Sequence, residues 1–274
     1  MKSKMTVRRL LAIAGIILLL LMYILAFVFA MIDSPQAAVL FRASIACTIL
    51  VPIFLYVFLM VARTVRPSKS PLIDTIVFDV GNVLIDFDFE REIRAKNYPQ
   101  EVNDIFFGNE VFNSLWREYD LGNLSDEEIR RRFLETFPDH TEEVSFVLDN
   151  AESWLHIFPY TMDWLASLKQ RGYRLYVLSN WSDHMYRHIE STGESAFTAY
   201  MDGCLWSYQH HLTKPDPAIY RKLASMFNID PKRAVFIDDM KENTAAAAKE
   251  GFNTITFKDL EDTRQKLRSV GVKW

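Results

Sequence analysis

Four short polar stretches, three of them closing apolar runs and one in a loop before a helix, hold the residues of this 274-residue sequence that could do chemistry. Asp79-Val80-Gly81-Asn82-Val83 follows the apolar run Leu72 to Phe78, and Leu178-Ser179-Asn180 closes a second run. Thr213-Lys214-Pro215-Asp216-Pro217 stands before a helical stretch. Phe236-Ile237-Asp238-Asp239 closes a further run, with Asn243 shortly after it. A carboxylate at a strand end can attack phosphorus and form an acyl phosphate. Its charge repels a phosphate dianion, so a cation must accompany it. Asp238 and Asp239 offer the hard oxygens that suit Mg²⁺. Ser179 and the amides after it can hold phosphate oxygens, and Lys214 can neutralise the nucleophile and the developing charge. Catalysis of this kind is mostly positioning plus electrostatics. Taken singly, each stretch reads as a turn or a helix cap. Their recurrence at strand ends is what points to phosphoryl transfer.

The elements that must position these groups alternate. Strands are expected at Leu72 to Phe78, Tyr173 to Leu178, Tyr200 to Trp206, Ala234 to Ile237 and Asn253 to Phe257. Helices are expected at Thr161 to Arg171, Ser182 to Ser191, Asp216 to Phe227 and Asn243 to Glu250, the first stopped by Gly172 and the last by Gly251. Alternating strands and helices imply parallel βαβ units, hence a doubly wound α/β sheet with helices on both faces. Such sheets bind ligands beyond the carboxyl ends of their strands. A long, mostly helical stretch from about Asp88 to Tyr160 interrupts the pattern. Within it Tyr119 to Ser125 is expected to end one helix and start another, with Ser125 as N-cap and Glu128 three residues on. That turn reads as structure rather than chemistry.

The four stretches together resemble the motifs of the haloacid dehalogenase superfamily of phosphatases, over roughly Leu72 to the carboxyl terminus. The resemblance implies a Rossmann-like core with a helical cap at about 88–160. It implies Asp79 as nucleophile and metal ligand, the backbone carbonyl of Gly81 as a second ligand and Asp239 as a third. Asp238 would support them from behind, and Mg²⁺ would be the cofactor. Ser179, Asn180 and Lys214 would bind the substrate phosphate. One position departs from the usual pattern: the family places a second aspartate two residues after the nucleophile, and Gly81 stands there. General acid–base help is worth about 10²–10⁴-fold, so its loss matters. A branch resembling soluble sugar phosphatases also reads Asp-x-Gly-Asn. Asp86 and Asp88 could donate protons, though loop or cap roles suit them better. Trp116, Arg117 and Trp181 are possible substrate contacts, with packing the ordinary role for both tryptophans.

The amino-terminal part is of another kind. Leu10 to Ile32 and Ala43 to Ala62 are apolar runs without a charge, each near the roughly 20 residues needed to cross a bilayer core. Asp33-Ser34-Pro35-Gln36 reads as a turn between them. A signal-peptide core is about 7–15 residues and ends in an A-x-A-like site; the first run is longer and lacks one. Lys2, Lys4, Arg8 and Arg9 precede the first run, and Arg63, Arg66 and Lys69 follow the second, against Arg42 alone between them. The positive-inside rule then places both ends in the cytoplasm. The expected organisation is a two-helix membrane hairpin over 1–63 (helices about 10–32 and 43–62), a polar linker over 64–71 and a hydrolase domain over 72–274.

The formal net charge is -4, and no basic block lies beyond the membrane-proximal region, so nucleic acid is not an expected partner. Cys47 and Cys204 do not suggest a disulfide framework. His184 and His188 have helical ligand spacing but no third ligand nearby in sequence. The expected function is hydrolysis of a small phosphorylated metabolite, with sugar phosphates as the candidate class. The alternatives are a phosphate- or partner-binding module without turnover, and dehalogenation, which uses the same carboxylate without a metal.

Overall fold

The computed structural model describes residues 20–64 and 73–273, and the chain divides into two compact units, Met1–Lys69 and Ser70–Trp274. In the first, α1 (Leu20–Ala30) and α2 (Pro35–Thr64) are helical. Large apolar side chains such as Phe27, Met31, Val39 and Phe54 face outward. The segment Pro35–Phe54, of mean hydropathy 2.1, is long and apolar enough to cross a membrane. The second helix begins earlier than its sequence suggests. Ser34 and Pro35 are not turn residues but an N-cap and first helical residue, with the Ala37 amide donating to Ser34 Oγ at 3.1 Å. Arg42 therefore lies within α2 rather than in a connecting loop. The first part of the other expected span, residues 10–19, lies outside the described residues, as does most of the linker.

The second unit runs, in chain order, β1 (Thr75–Phe78), β2 (Ile85–Asp86), α3 (Phe89–Arg94), α4 (Gln100–Phe106), α5 (Glu110–Asp120), α6 (Asp126–Thr136), α7 (Thr141–Asn150), β3 (His156–Ile157), α8 (Thr161–Gln170), β4 (Arg174–Ser179) and α9 (Asp183–Thr192). It continues through β5 (Gly203–Trp206), α10 (Ser207–His210), α11 (Pro217–Met226), β6 (Ala234–Asp238), α12 (Lys241–Lys249), β7 (Asn253–Thr256) and α13 (Leu260–Ser269). Five strands form a sheet in the order β5-β4-β1-β6-β7. All neighbours are parallel, with Thr75 opposite Arg174 and Ala234, and Phe78 opposite Val177 and Ile237.

Alternation of side chains across the strands explains the layers. Ile76 and Phe78 face Trp164, Leu165 and Leu168 of α8, Ile189 of α9 and Leu267 of α13. Val77 faces the other way, toward Ile219 and Leu223 of α11 and Ala247 of α12, together with Tyr176 and Phe236. Both faces are covered, so the strands read as continuous apolar runs. Each such side chain contributes about 1.5–3 kcal/mol by leaving water. β1 lies between β4 and β6, so the crossovers diverge there and open a crevice at the carboxyl ends of these three strands.

Two expected boundaries shift for packing reasons. The run Tyr200 to Trp206 becomes strand only from Gly203, after a 3-10 turn at Ala196–Tyr200. A Cβ on Gly203 would lie 2.3 Å from the Phe227 ring, so any larger residue where the strand starts must displace that ring. α12 starts at Lys241, which puts Asn243 inside its first turn.

Helices α3 to α7 enclose a separate core of Ile93, Phe106, Phe112, Ile129, Phe133 and Val147. This helical insert leaves and re-enters the sheet domain through one antiparallel ribbon, with Ile85 opposite Ile157 and Asp86 opposite His156. Asp88 caps α3 by accepting from the Arg91 amide at 2.9 Å, and Asp86 pairs with Arg91 at 3.1 Å. Both serve structure rather than proton donation. Ser125 caps α6 as its spacing suggests, accepting from the Glu128 amide at 3.2 Å. Because the second unit has its own cores, a fragment starting at Ser70 is expected to unfold cooperatively without detergent. Aggregation of that fragment, with ordered behaviour only of the full chain in detergent, would give the amino-terminal helices a folding role.

Candidate active site

The crevice at the ends of β1, β4 and β6 holds the polar groups singled out in the sequence. Asp79 follows β1 and is 7 % exposed. Three donors converge on its Oδ1: the Val80 amide, Ser179 Oγ and Lys214 Nζ, each at 2.7 Å. Its Oδ2 accepts no hydrogen bond among the described residues. Lys214 Nζ also meets Asp238 Oδ2 at 2.7 Å, and its side chain is only 1 % exposed. Asp238 is fully buried and saturated: Oδ1 accepts from the Met240 amide at 2.8 Å and from Asn243 Nδ2 at 3.0 Å. Asp239 is half-buried at the cleft and accepts from Asn82 Nδ2 at 3.2 Å. Oxygens of Asp79, Asp238 and Asp239 all lie within 4.8 Å of one another.

Backbone geometry places these groups. The turn after β1 is tight, with the Leu84 and Ile85 amides donating to the Val80 carbonyl at 2.9 and 3.0 Å. Asn82 takes a left-handed conformation (φ 56°), which asparagine tolerates, and its Oδ1 accepts from the Phe87 amide at 3.1 Å. The Gly81 carbonyl accepts no hydrogen bond among the described residues, and Gly81 lines the cleft.

The two side chains expected at the phosphate also make contacts within the protein. Ser179 aims its hydroxyl at Asp79. The Asn180 side chain clamps the Lys214 backbone, donating to its carbonyl at 3.0 Å and accepting from its amide at 2.7 Å. Asn180 therefore fixes where the lysine starts, and its own backbone amide is what remains for an anion.

Burial pushes the Asp79 carboxyl up to about 7; Lys214 opposes this, and Asp238 and Asp239 reinforce it. Burial also raises Asp239, with Asp238 adding to the effect. Burial works against the Lys214 charge, yet Asp238 and Asp79 outweigh it and hold the lysine above its usual range. Crowded carboxylates with a single lysine among them create a demand for a further cation.

Around this centre lies a cleft of about 360 Å³, walled by Trp116 and Asp120 of α5, Phe87 and Trp181. Trp181 is 3 % exposed and packs in the sheet-domain core, and Trp116 stacks on Phe112 in the insert while also reaching the cleft. Arg117 is exposed beside a neighbouring part of the cleft. His184 and His188 do not gather as metal ligands. His184 Nδ1 lies 3.2 Å from Asp126, its Nε2 meets Glu152, and His188 Nδ1 lies 3.6 Å from Glu152. They tie α9 to the insert. Asp120, part of the turn read from the sequence as structure alone, lines the cleft: nothing in a helix-ending Asp-Leu-Gly announces that it faces another domain layer.

This fold and its strand-end carboxylates define a hydrolase core with a helical insert, and the chain belongs to the haloacid dehalogenase-like hydrolases, whose family profile matches residues 73–251. D-ribitol-5-phosphate phosphatase of Bacteroides thetaiotaomicron is 25% identical over 73% of this chain and 98% of its own length. (S)-2-haloacid dehalogenase 4A of Burkholderia cepacia is 29% identical over 65% of this chain and 80% of its own. Among solved structures, a wild-type family enzyme of B. thetaiotaomicron in complex with magnesium and inorganic phosphate superposes with a TM-score of 0.53. It is 26% identical and covers 68% of this chain and 94% of its own.

Proposed function

We propose that this protein is a Mg²⁺-dependent phosphatase of a small phosphorylated metabolite, held at a membrane by its amino-terminal helices, with sugar and sugar-alcohol phosphates the first substrates to test. The convergence of Asp79, Asp238 and Asp239 on one small volume carries this reading. The donor set fits Mg²⁺: carboxylate and carbonyl oxygens, with Asp79 Oδ2 and the Gly81 carbonyl meeting no donor among the described residues. Asp79, Gly81 and Asp239 would hold the ion, with Asp238 behind them, since both Asp238 oxygens are already bonded. Bound there, the ion would offset the carboxylate charge and polarise the phosphoryl group.

Asp79 is the nucleophile in this reading. Lys214 holds its charge and receives part of the charge developing on the transferring phosphoryl group. Ser179 orients Asp79, and its hydroxyl, the Asn180 amide and Lys214 form the phosphate side of the pocket. The related phosphatase and the phosphate-bound neighbour support this assignment. The related dehalogenases favour a second reading, attack of Asp79 on a carbon–halogen bond, which needs no metal. The acidic cluster argues against it.

In this reading residues 1–63 are a two-helix anchor, 64–71 a linker and 72–274 the hydrolase, facing the cytoplasm. The α2 segment Pro35–Phe54 supports one of the two spans.

The test is hydrolysis of para-nitrophenyl phosphate by the full chain in detergent, with Mg²⁺ and with chelator, alongside a thermal melt. Mg²⁺ at 100 times its Kd should stabilise the fold by about 2.7 kcal/mol. The raised Asp79 pKa sets the pH dependence. Without metal, the site's contribution to stability is present below the usual carboxylate pKa and is lost as pH rises through about 7. The Mg²⁺ shift should accordingly be larger at pH 8 than at pH 5 and absent in Asp239→Asn. Turnover indifferent to chelation would sink the metal-dependent reading.

A further inference from the structure

Departure of an alkoxide from phosphorus needs a proton, and the water that later attacks must lose one. Four titratable groups line the cleft: Asp79, Asp120, Lys214 and Asp239. In the reading above, Asp79 attacks and Asp239 holds the ion. Lys214 is fixed between two carboxylates at 2.7 Å each. Gly81, beside the nucleophile, has no side chain to offer. Asp120 is left over, and it comes from the insert rather than from the sheet.

The placement of Asp120 is built. Its carbonyl accepts from Ser207 Oγ at 2.6 Å, and the same Ser207 oxygen accepts from the Trp181 amide at 2.8 Å. The next residue, Leu121, has its carbonyl 2.8 Å from His211 Nδ1. Gly122 then adopts φ +66°, and a Cβ there would lie 2.6 Å from the Tyr208 carbonyl oxygen. Three consecutive residues of the insert are thus seated on α10 and the residue after it. Yet the Asp120 carboxyl itself makes no hydrogen bond or ion pair among the described residues. Asp120 is thus a half-buried acid held in position at a cleft wall, with its carboxyl left free to meet whatever enters. Burial lifts it to about 7, Lys214 opposing and Asp79 reinforcing, so both its protonation states are accessible near neutrality.

We propose that Asp120 is the general acid and base of this active site, delivered across the cleft by the helical insert. This rests on the phosphatase reading. In the first step an Asp79 oxygen bonds to phosphorus, the bond to the leaving oxygen breaks, and the Asp120 proton passes to that oxygen to release an alcohol. In the second, the Asp120 carboxylate takes a proton from water, the resulting hydroxide bonds to phosphorus, and the bond to Asp79 breaks. Inorganic phosphate leaves, Asp79 is an anion again and Asp120 is protonated again.

The experiment compares leaving groups in the full chain with Mg²⁺. Nitrophenolate departs without a proton; ethoxide does not. Asp120→Asn is expected to slow ethanol release from ethyl phosphate in a single turnover by about 10²–10⁴-fold. The first-turnover burst from para-nitrophenyl phosphate should stay within a few-fold of wild type. Phosphoryl-enzyme should then accumulate, visible in the intact mass, because its hydrolysis has lost the base. Asp120→Glu, which keeps a carboxyl, should recover part of the ethyl phosphate rate. Equal losses on both substrates, no loss on ethyl phosphate, or Asp120→Glu no better than Asp120→Asn would overturn the role of Asp120 while leaving the phosphatase reading intact. A wild-type chain inert toward both substrates would remove that reading, and this inference with it.

Discussion

Asp79→Asn is expected to lower turnover of para-nitrophenyl phosphate by about 10⁶-fold, the scale seen when a nucleophile is removed from machinery that acts as a unit. The substitution is nearly isosteric, so the fold should survive. The Val80 amide, Ser179 Oγ and Lys214 Nζ that now meet Oδ1 would still find an amide oxygen. What disappears is the anion. A neutral amide attacks phosphorus poorly and cannot form the acyl phosphate. The variant should also melt no lower than wild type in the absence of metal, because one of three crowded carboxylates has lost its charge. Steady-state rates and a melt in the same buffer check both halves. Retention of more than a hundredth of wild-type turnover would assign the attack to another residue.

Lys214→Met is expected to destabilise the domain strongly. The lysine side chain is 1 % exposed and lies between carboxylates that are 9 % and 0 % exposed. Removing one member of a buried ion cluster strands the others, at a cost of about 3–5 kcal/mol. For a domain of this size that is roughly 6–20 °C in Tm, at about 2–4 °C per kcal/mol. The deficit should be pH-dependent. Asp79 already binds its proton more tightly than a free carboxyl, and losing Lys214 tightens it further. Protonation below neutrality relieves the stranded charge, so the Tm gap should be narrower at pH 5 than at pH 8. A gap that stays constant with pH would mean that lost packing, not charge, dominates.

The sequence made the centre of the sheet readable because β1, β4 and β6 are buried on both faces and so form short apolar runs with a polar residue at the end. That is why the positions of Asp79, Ser179 and Asp238 at strand ends follow from the residues alone. Lys214 was readable from the Lys-Pro-Asp-Pro context. The reach of Asn180 to the Lys214 backbone was not, since either side-chain hydrogen bond depends on how two loops meet. Asp120 was hidden for a similar reason. A carboxylate at a helix end looks like ordinary capping, and only the seating of Asp120 to Gly122 on α10 turns it toward the cleft. A signal existed in Gly81, whose missing side chain asks for a proton carrier from elsewhere. The early start of α2 was likewise available in Ser34-Pro35, which is as good a helix beginning as a turn.

The ribbon pairing Ile85 with Ile157 has an evolutionary consequence. Exit and return of the chain are adjacent, so the sheet experiences everything between them as one closed loop. Lengthening such a loop costs only about 0.6 kcal/mol per doubling. The insert can accordingly be exchanged for a larger, smaller or differently shaped one without re-threading the strands. Substrate range in a lineage built on this plan can therefore diversify by grafting, and the graft has one strict obligation: to bring a short turn down onto Ser207 and Tyr208.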